Sequence, residues 1–152
     1  MTGGAVDFFG VAAAGLTWLD KEVHFGVRQQ GRLVAHAGWV QVPLSAGAVR
    51  LRVAGLGGVA VAPALRGRGL ARLVVTAAMK HARGLGMEHG LLFCRPDLVP
   101  LYERLGRRVL HDDVLVEQPD GPVRMPLRTM WAPLAEGAEW LAGQARLLSL
   151  PM

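Results

Sequence analysis

Cysteine is almost missing from this chain: Cys94 is the only one in 152 residues. An intrachain disulfide and a multi-cysteine metal site are thereby excluded, and no metal is expected. Long apolar runs are missing too. No stretch reaches transmembrane length, and no basic segment precedes an apolar core at the N-terminus. The expectation is a cytoplasmic protein. Charged residues are sparse, at 19%, against 51% hydrophobic, which argues against disorder. Seventeen basic side chains outnumber twelve acidic ones, for a net charge of +5. That balance suits an anionic ligand or nucleic acid. The nucleic-acid option lacks a basic run interleaved with aromatics, and the chain has a single tyrosine. No internal repeat and no long linker divide the sequence, so one domain over 1–152 is expected.

What is present is organised around Gly58-Val59-Ala60-Val61-Ala62-Pro63-Ala64-Leu65-Arg66-Gly67-Arg68-Gly69-Leu70-Ala71. An apolar run of strand type ends at Val61, and Pro63, with no N–H to donate, stops ladder pairing. A basic, glycine-rich turn follows. Leu70 then opens a helical pattern in which Leu70, Val74, Ala77, Ala78, His81 and Leu85 share one face. Arg72, Thr76, Lys80 and Arg83 share the other, and Gly84 and Gly86 supply the helix stop. The reading is strand, loop, helix, with glycines at the helix N-terminus. There the first N–H groups lack intrahelical partners and sit at the positive end of the helix dipole. A phosphate or pyrophosphate fits such a site, with Arg66 and Arg68 adding charge.

The spacing excludes a P-loop, and Arg72 stands where a dinucleotide-binding fingerprint wants its third glycine. What fits is Arg-x-x-Gly-x-Ala, filled by Arg66, Gly69 and Ala71 after Val-Ala-Val-Ala-Pro. Here the chain resembles the GCN5-related N-acetyltransferase (GNAT) superfamily, whose acetyl-CoA loop reads Gln/Arg-x-x-Gly-x-Gly/Ala. The resemblance continues through Leu91–Cys94 and through Leu101-Tyr102-Glu103-Arg104-Leu105-Gly106, similar to the family's next strand and its Tyr-x-x-x-Gly helix. It is specific over residues 56–106. The run Val114–Gly121 with Met130 is similar to a branch holding aminoglycoside 2′-N-acetyltransferases and NodA-like nodulation acyltransferases. Polycationic acceptors of that kind need acids, and Glu117, Asp120, Asp112 and Asp113 are the local ones.

The rest of the chain reads as a mixed α/β domain. Residues 5–19 have the spacing of a short helix, weakened by Gly10 and Gly15. Val23–Arg28 and Leu33–Val42 read as a hairpin turning at Gln29-Gln30-Gly31, with Leu33, Ala35, Ala37 and Trp39 on one face and Val34, His36, Gly38 and Val40 on the other. Pro43 to Gly47 reads as a loop. Val49–Val61 is the long central strand, with Gly55, Gly57 and Gly58 marking a bulge or a close approach. Gly90–Cys94 is a buried parallel strand. Asp97 is the expected N-cap of a helix Leu98–Leu105, with Pro100 in its first turn and Gly106 as its stop. Val109–Leu110 and Val114–Glu117 are strand-like, Gln118–Pro122 is a turn, and Met130–Ala132 pairs back. Glu136–Leu148 has helical spacing, so 136–152 is expected to be a C-terminal helical extension covering core or, in a homodimer, a partner subunit.

The resemblance implies a central β-sheet flanked by helices, with two splayed parallel strands forming the CoA slot. It implies acetyl-CoA as cosubstrate, a small amine as acceptor, and direct attack on the thioester. The cofactor-binding residues would be Val59, Ala60 and Val61, whose backbone N–H groups hold the thioester oxygen, and the loop Arg66, Gly67, Arg68, Gly69, Leu70 and Ala71. Tyr102 would protonate the departing thiolate. A base is harder to find, since Leu51–Val61 contains no acid where the family often has a glutamate. His36, His89, Glu88 and Asp112–Asp113 remain, and His89, placed near the mouth of the slot, is the choice. Direct deprotonation through water competes with it. Cys94 is expected to be a buried, inert thiol. Two other classes stay open at this point: a CoA-binding sensor that has lost catalysis, and a basic nucleic-acid-binding domain.

Overall fold

The alternating apolar pattern of residues 32–61 becomes two long antiparallel strands around which the other elements assemble. The computed structural model describes residues 15–140 and 143–152. β1 is Val23–Gln29, β2 is Arg32–Ala46 and β3 is Val49–Val61. A short 3-10 turn at Pro63–Leu65 leads to α1, Leu70–Gly84, and then β4, His89–Cys94. A second 3-10 turn, Pro96–Leu98, runs into α2, Val99–Arg104. β5 (Arg108–Leu110), β6 (Leu115–Val116), β7 (Val123–Arg124), β8 (Arg128–Pro133) and β9 (Ala145–Leu147) complete the chain. The sheet order is β5-β8-β4-β3-β2-β9-β6-β7, with β1 also on β2. This is the expected mixed sheet with flanking helices.

Two apolar clusters cover the two faces. Ala35, Ala37 and Trp39 of β2 with Ala54, Leu56, Val59 and Val61 of β3 pack against Val74, Val75, Ala78, Met79 and Ala82 of α1. The buried stripe of α1 is therefore turned from the expected one: His81 and Leu85 lie outside it, and Leu85 is exposed. His81 borders the stripe, where its Nδ1 accepts from the Trp39 indole N–H at 3.1 Å. Val40, Val42, Leu44, Val53, Leu91 and Phe93 face the second cluster with Trp131, Leu147 and Met152.

Four expectations are corrected. Pro43–Gly47 is not a loop up to Ala46, because β2 continues and gains β9 as a second neighbour, Leu44 opposite Leu147. Pro43 needs no N–H there; its carbonyl accepts from Leu148 N–H at 2.9 Å. Glu136–Leu148 is not a helix among the described residues, since Ala145–Leu147 extends as β9 beside β2 and β6. Pairing with the far half of β2 overrides the helical spacing. Asp97 does not cap α2: Leu98 is the N-cap without a side-chain bond, while Asp97 bonds Arg95 at 3.1 Å. Of the helix expected over 5–19, residues 5–14 lie outside those described, and 15–19 form no regular element. Trp18 instead packs edge-on to Phe93, and Leu19 N–H donates to the Pro151 carbonyl.

The decisive local feature is a bulge in β3. Register with β2 shifts between His36↔Ala60 and Gly38↔Gly57, and Gly58 takes a φ of +59°. A side chain there meets both left-handed backbone strain and the His36 ring, 3.3 Å from where a Cβ would stand. β3 pairs in parallel with β4 only at Ala54↔Gly90 and Gly55↔Leu91. Beyond that point the two strands part. Gly58→Ala should cost about 1–2 kcal/mol from backbone strain alone, a fall in Tm of roughly 2–8 °C by thermal denaturation.

Candidate active site

Where β3 and β4 separate, a cleft of about 620 Å³ opens. On one side it is walled by Val61, Leu65 and the loop into α1, on the other by the segment from Arg95 to Leu105. The loop folds as its sequence requires. Gly67 and Gly69 both have positive φ, +81° and +80°, and Gly69 is the N-cap of α1 in left-handed conformation. No side chain caps that helix start, so its first N–H groups are left to whatever enters the cleft. Of the residues anticipated for cofactor contact, Val61, Arg66, Gly67, Gly69, Leu70 and Ala71 line the cleft. Arg68 is exposed on the same loop, while Val59 and Ala60 are buried just upstream in β3.

The cleft is basic beyond what the loop alone announced. Arg72, Arg95 and Arg104 line it together with Arg66, and Asp97 carries the opposing charge, at 3.1 Å from Arg95. Arg72, which helical spacing assigned to the solvent face of α1, reaches across and donates to the Arg104 carbonyl at 2.9 Å, tying α1 to α2. Arg66 Nε donates to the Val61 carbonyl at 3.5 Å, which folds the side chain back over the strand end. Leu98, Pro100, Leu101 and Leu105 give the α2 side an apolar surface. A cationic rim over an apolar trough suits a ligand with phosphates on a greasy stem.

Tyr102 is 4% exposed and belongs to the same buried cluster as Val59, Val61 and Cys94. Its neighbours on α2, not its own ring, form the wall of the cleft. Burial pushes its phenol strongly upward, the Cys94 thiol adds to this, and Arg107 opposes it. The phenol is therefore held protonated. Cys94 is 1% exposed, with its thiol pushed up to about 11 by burial, and it bonds Met130 sulfur at 3.7 Å, in keeping with an unreactive core thiol.

His89 is not brought to the cleft. It begins β4, whereas the cleft lies past Cys94 at the other end, roughly 17 Å along a six-residue strand. There it is buried between Trp131 and Trp140, at ring separations of 6.0 and 5.8 Å, with Nδ1 unbonded. A strand start near Glu88 looked like a slot mouth in sequence; the tryptophans close it instead. The acids that might have served a polycationic acceptor are also elsewhere. Glu117 pairs with Arg146 at 2.7 Å and Asp113 with Arg124 at 3.6 Å, on the far side of the sheet near β6, β7 and β9. Desolvation lowers the His89 pKa, with Glu88 opposing. The unfolded chain then binds more protons than the folded one as pH falls through the ordinary histidine value. Stability should drop over that window, and the Tm of His89→Leu should gain on wild type as the pH is lowered from about 8 to 5.

The comparisons with known proteins converge on this geometry. No curated protein sequence matches the chain. A solved GCN5-related N-acetyltransferase from Kribbella flavida is 31% identical over 57% of this chain, with a TM-score of 0.52. This chain spans only 22% of that protein's length. A GNAT family N-acetyltransferase from Escherichia coli, solved with CoA, covers 93% of this chain and is covered over 76% of its own, at 19% identity and a TM-score of 0.61. The ribosomal-protein-S18-alanine N-acetyltransferase of Escherichia coli covers 91% of this chain, and 84% of it is covered in turn, at 22% identity and a TM-score of 0.56. The two Escherichia coli proteins show shared fold. The sequence model of the acetyltransferase (GNAT) family matches residues 8–106. With the splayed β3 and β4 and the arginine-glycine loop in place, the chain belongs to the GNAT acetyltransferase family.

Proposed function

We propose that this protein transfers the acetyl group of acetyl-CoA to a primary amine of a small molecule. The observation that carries the reading is the cleft: it joins an uncapped helix N-terminus, four arginines and an apolar trough at the point where β3 and β4 part. The pyrophosphate would lie on the loop from Arg66 to Ala71, with Gly67, Arg68, Gly69 and Leu70 supplying backbone or charge. The pantetheine would run along Leu98 and Leu101. The thioester oxygen would be held by backbone N–H groups at Val59, Ala60 or Val61. On the opposite face of β3 the Lys21 stem packs over Gly57 and the Met152 side chain over Gly55. Among the described residues no helix is long and apolar enough to cross a membrane. We place the protein in the cytoplasm, where acetyl-CoA is available.

The chemistry is a direct transfer. The amine nitrogen attacks the thioester carbonyl, the tetrahedral adduct collapses, and the C–S bond breaks. The thiolate takes a proton from Tyr102, the proposed donor, whose burial keeps the phenol protonated near the end of β4, and the phenolate regains through water the proton that the acylated nitrogen sheds. The products are an amide and free CoA thiol. An acetyl-CoA-dependent thiol-release assay over polyamines, amino acids and aminoglycosides tests the reading. Release with at least one amine is expected, and release with none, in a protein that binds acetyl-CoA, contradicts it.

Two substitutions separate binding from chemistry. Arg66→Ala should weaken acetyl-CoA by about ten- to hundred-fold, the loss of about 1.5–3 kcal/mol for a charge-assisted bond. Acetyl-pantetheine, which lacks the pyrophosphate, should be almost unaffected, and calorimetric titration of both ligands reads the difference. Tyr102→Phe should lower kcat by about 10²–10⁴-fold while KM for acetyl-CoA moves little. Equal kcat in the two proteins, with chemistry rate-limiting, would leave Tyr102 as a packing residue.

A further inference from the structure

The chain has two lysines, and the fold treats them differently. Lys80 is exposed on α1. Lys21, just ahead of β1, is half-buried on the face of the sheet away from α1. Its stem crosses β2 and β3 at Gly38 and Gly57, which stand opposite each other in the register. A side chain at either glycine would run into it. A Cβ at Gly38 would stand 2.8 Å from Lys21 Cβ and Cγ, and one at Gly57 would meet Lys21 Cε. Two facing glycines thus form a track for this one side chain, and Nζ lies at its end, 2.9 Å from where a Gly57 Cβ would be.

The track brings an amine to a defined place. Gly57 immediately precedes the bulged Gly58 and is two residues, roughly 7 Å along a strand, from Val59, where the stretch assigned to the thioester oxygen begins. The α1 loop and α2, which wall the cleft, belong to the other face, with Leu56, Val59 and Tyr102. An amine over Gly57 therefore approaches the separation of β3 and β4 from the face opposite the cofactor. The Lys21 backbone is held: its carbonyl lies 3.1 Å from His24 Nε2, and Glu22 N–H donates to the Trp39 carbonyl at 3.2 Å. Only side-chain bonds need turn to bring Nζ forward. Nζ donates to the Leu19 carbonyl at 3.2 Å and forms no ion pair among the described residues.

We infer that Lys21 is a self-acetylation site, at which the chain transfers the acetyl group of its own bound acetyl-CoA to Nζ; the assignment rests on the transferase reading above. The neutral amine attacks the thioester carbonyl, a C–N bond forms and the C–S bond breaks. The thiolate takes the Tyr102 proton, the acylated nitrogen sheds one, and water returns it to the phenolate. The products are an acetylated Lys21 and free CoA thiol.

Attack needs an uncharged amine, and the surroundings favour one. Burial pushes the Lys21 ammonium down to about 8, with Asp20 opposing. About one amine in ten is then neutral at pH 7, against roughly one in three thousand at the ordinary lysine value. The other groups facing it are His24 on β1, His36 on β2 and the main-chain carboxyl carbon of Met152. Lys21 and His36 are close enough for the lysine charge to lower the His36 pKa.

The test is the full chain incubated with saturating acetyl-CoA and no added amine, read by peptide mass spectrometry with Lys80 as internal control. Lys21 should gain an acetyl group at least about 10²-fold faster than Lys80. The rate per chain should be independent of protein concentration, and should rise with pH until it levels above about 8, where the amine is neutral. Below saturation, Arg66→Ala should slow Lys21 by about ten- to hundred-fold, in step with its loss of cofactor affinity, and leave Lys80 unchanged. Equal rates at the two lysines, a Lys21 rate that Arg66→Ala does not alter, or a rate per chain that climbs with protein concentration overturns the assignment. So does an unmodified Lys21 in a protein that acetylates an added amine, an outcome that leaves the transferase reading standing. A protein that binds acetyl-CoA and acetylates neither Lys21 nor any amine overturns both.

Discussion

Gly58 is the constraint on which the rest of the structure depends. Its left-handed backbone lets β3 insert one extra residue against β2, which turns the strand away from β4 after only two parallel pairings. The separation opens the cleft. It also presents the Gly58 carbonyl to His36, 2.7 Å from Nδ1. A β-branched or bulky residue at that position would have to abandon either the bulge or the histidine contact. The long pairing of β2 with β3 and the packing of α1 over Ala54, Leu56, Val59 and Val61 hold the bulge in place.

The charge distribution follows the same division. The arginines of the cleft lie on elements that leave the sheet at its open end: the α1 loop and the turn through α2. The acids near β6 and β9 are engaged with Arg124 and Arg146 and do not neutralise that end. On the other face of β3, small residues at 55 and 57 leave space that the Met152 and Lys21 side chains fill.

Much of this was legible in the sequence, and the reasons differ by element. β3 and the start of α1 could be read almost to the residue, because an apolar run, Pro63 and paired glycines all point to one strand-loop-helix unit. The C-terminal strand could not. Trp140, Ala145 and Leu148 fit helical spacing, and it is pairing with the far half of β2 and with β6 that makes Ala145–Leu147 a strand. The place of Arg72, Arg95 and Arg104 in the cleft is not legible in the sequence, because helical periodicity says which face a side chain starts from, not how far a long one reaches. A plain register count from the turn at Gln30-Gly31 puts His24 and His36 on opposite faces; the bulge between Val27 and Arg28 brings the two rings together, and the sequence does not announce it.

The central claim is that the separation of β3 from β4 is a cofactor slot. A crystal structure of the full chain with CoA tests it most directly. The account predicts the pyrophosphate on the N–H groups from Arg66 to Ala71, with the thiol between the two strands near Val59–Val61. A CoA bound elsewhere on the surface, with the cleft left empty at saturating ligand, would contradict it.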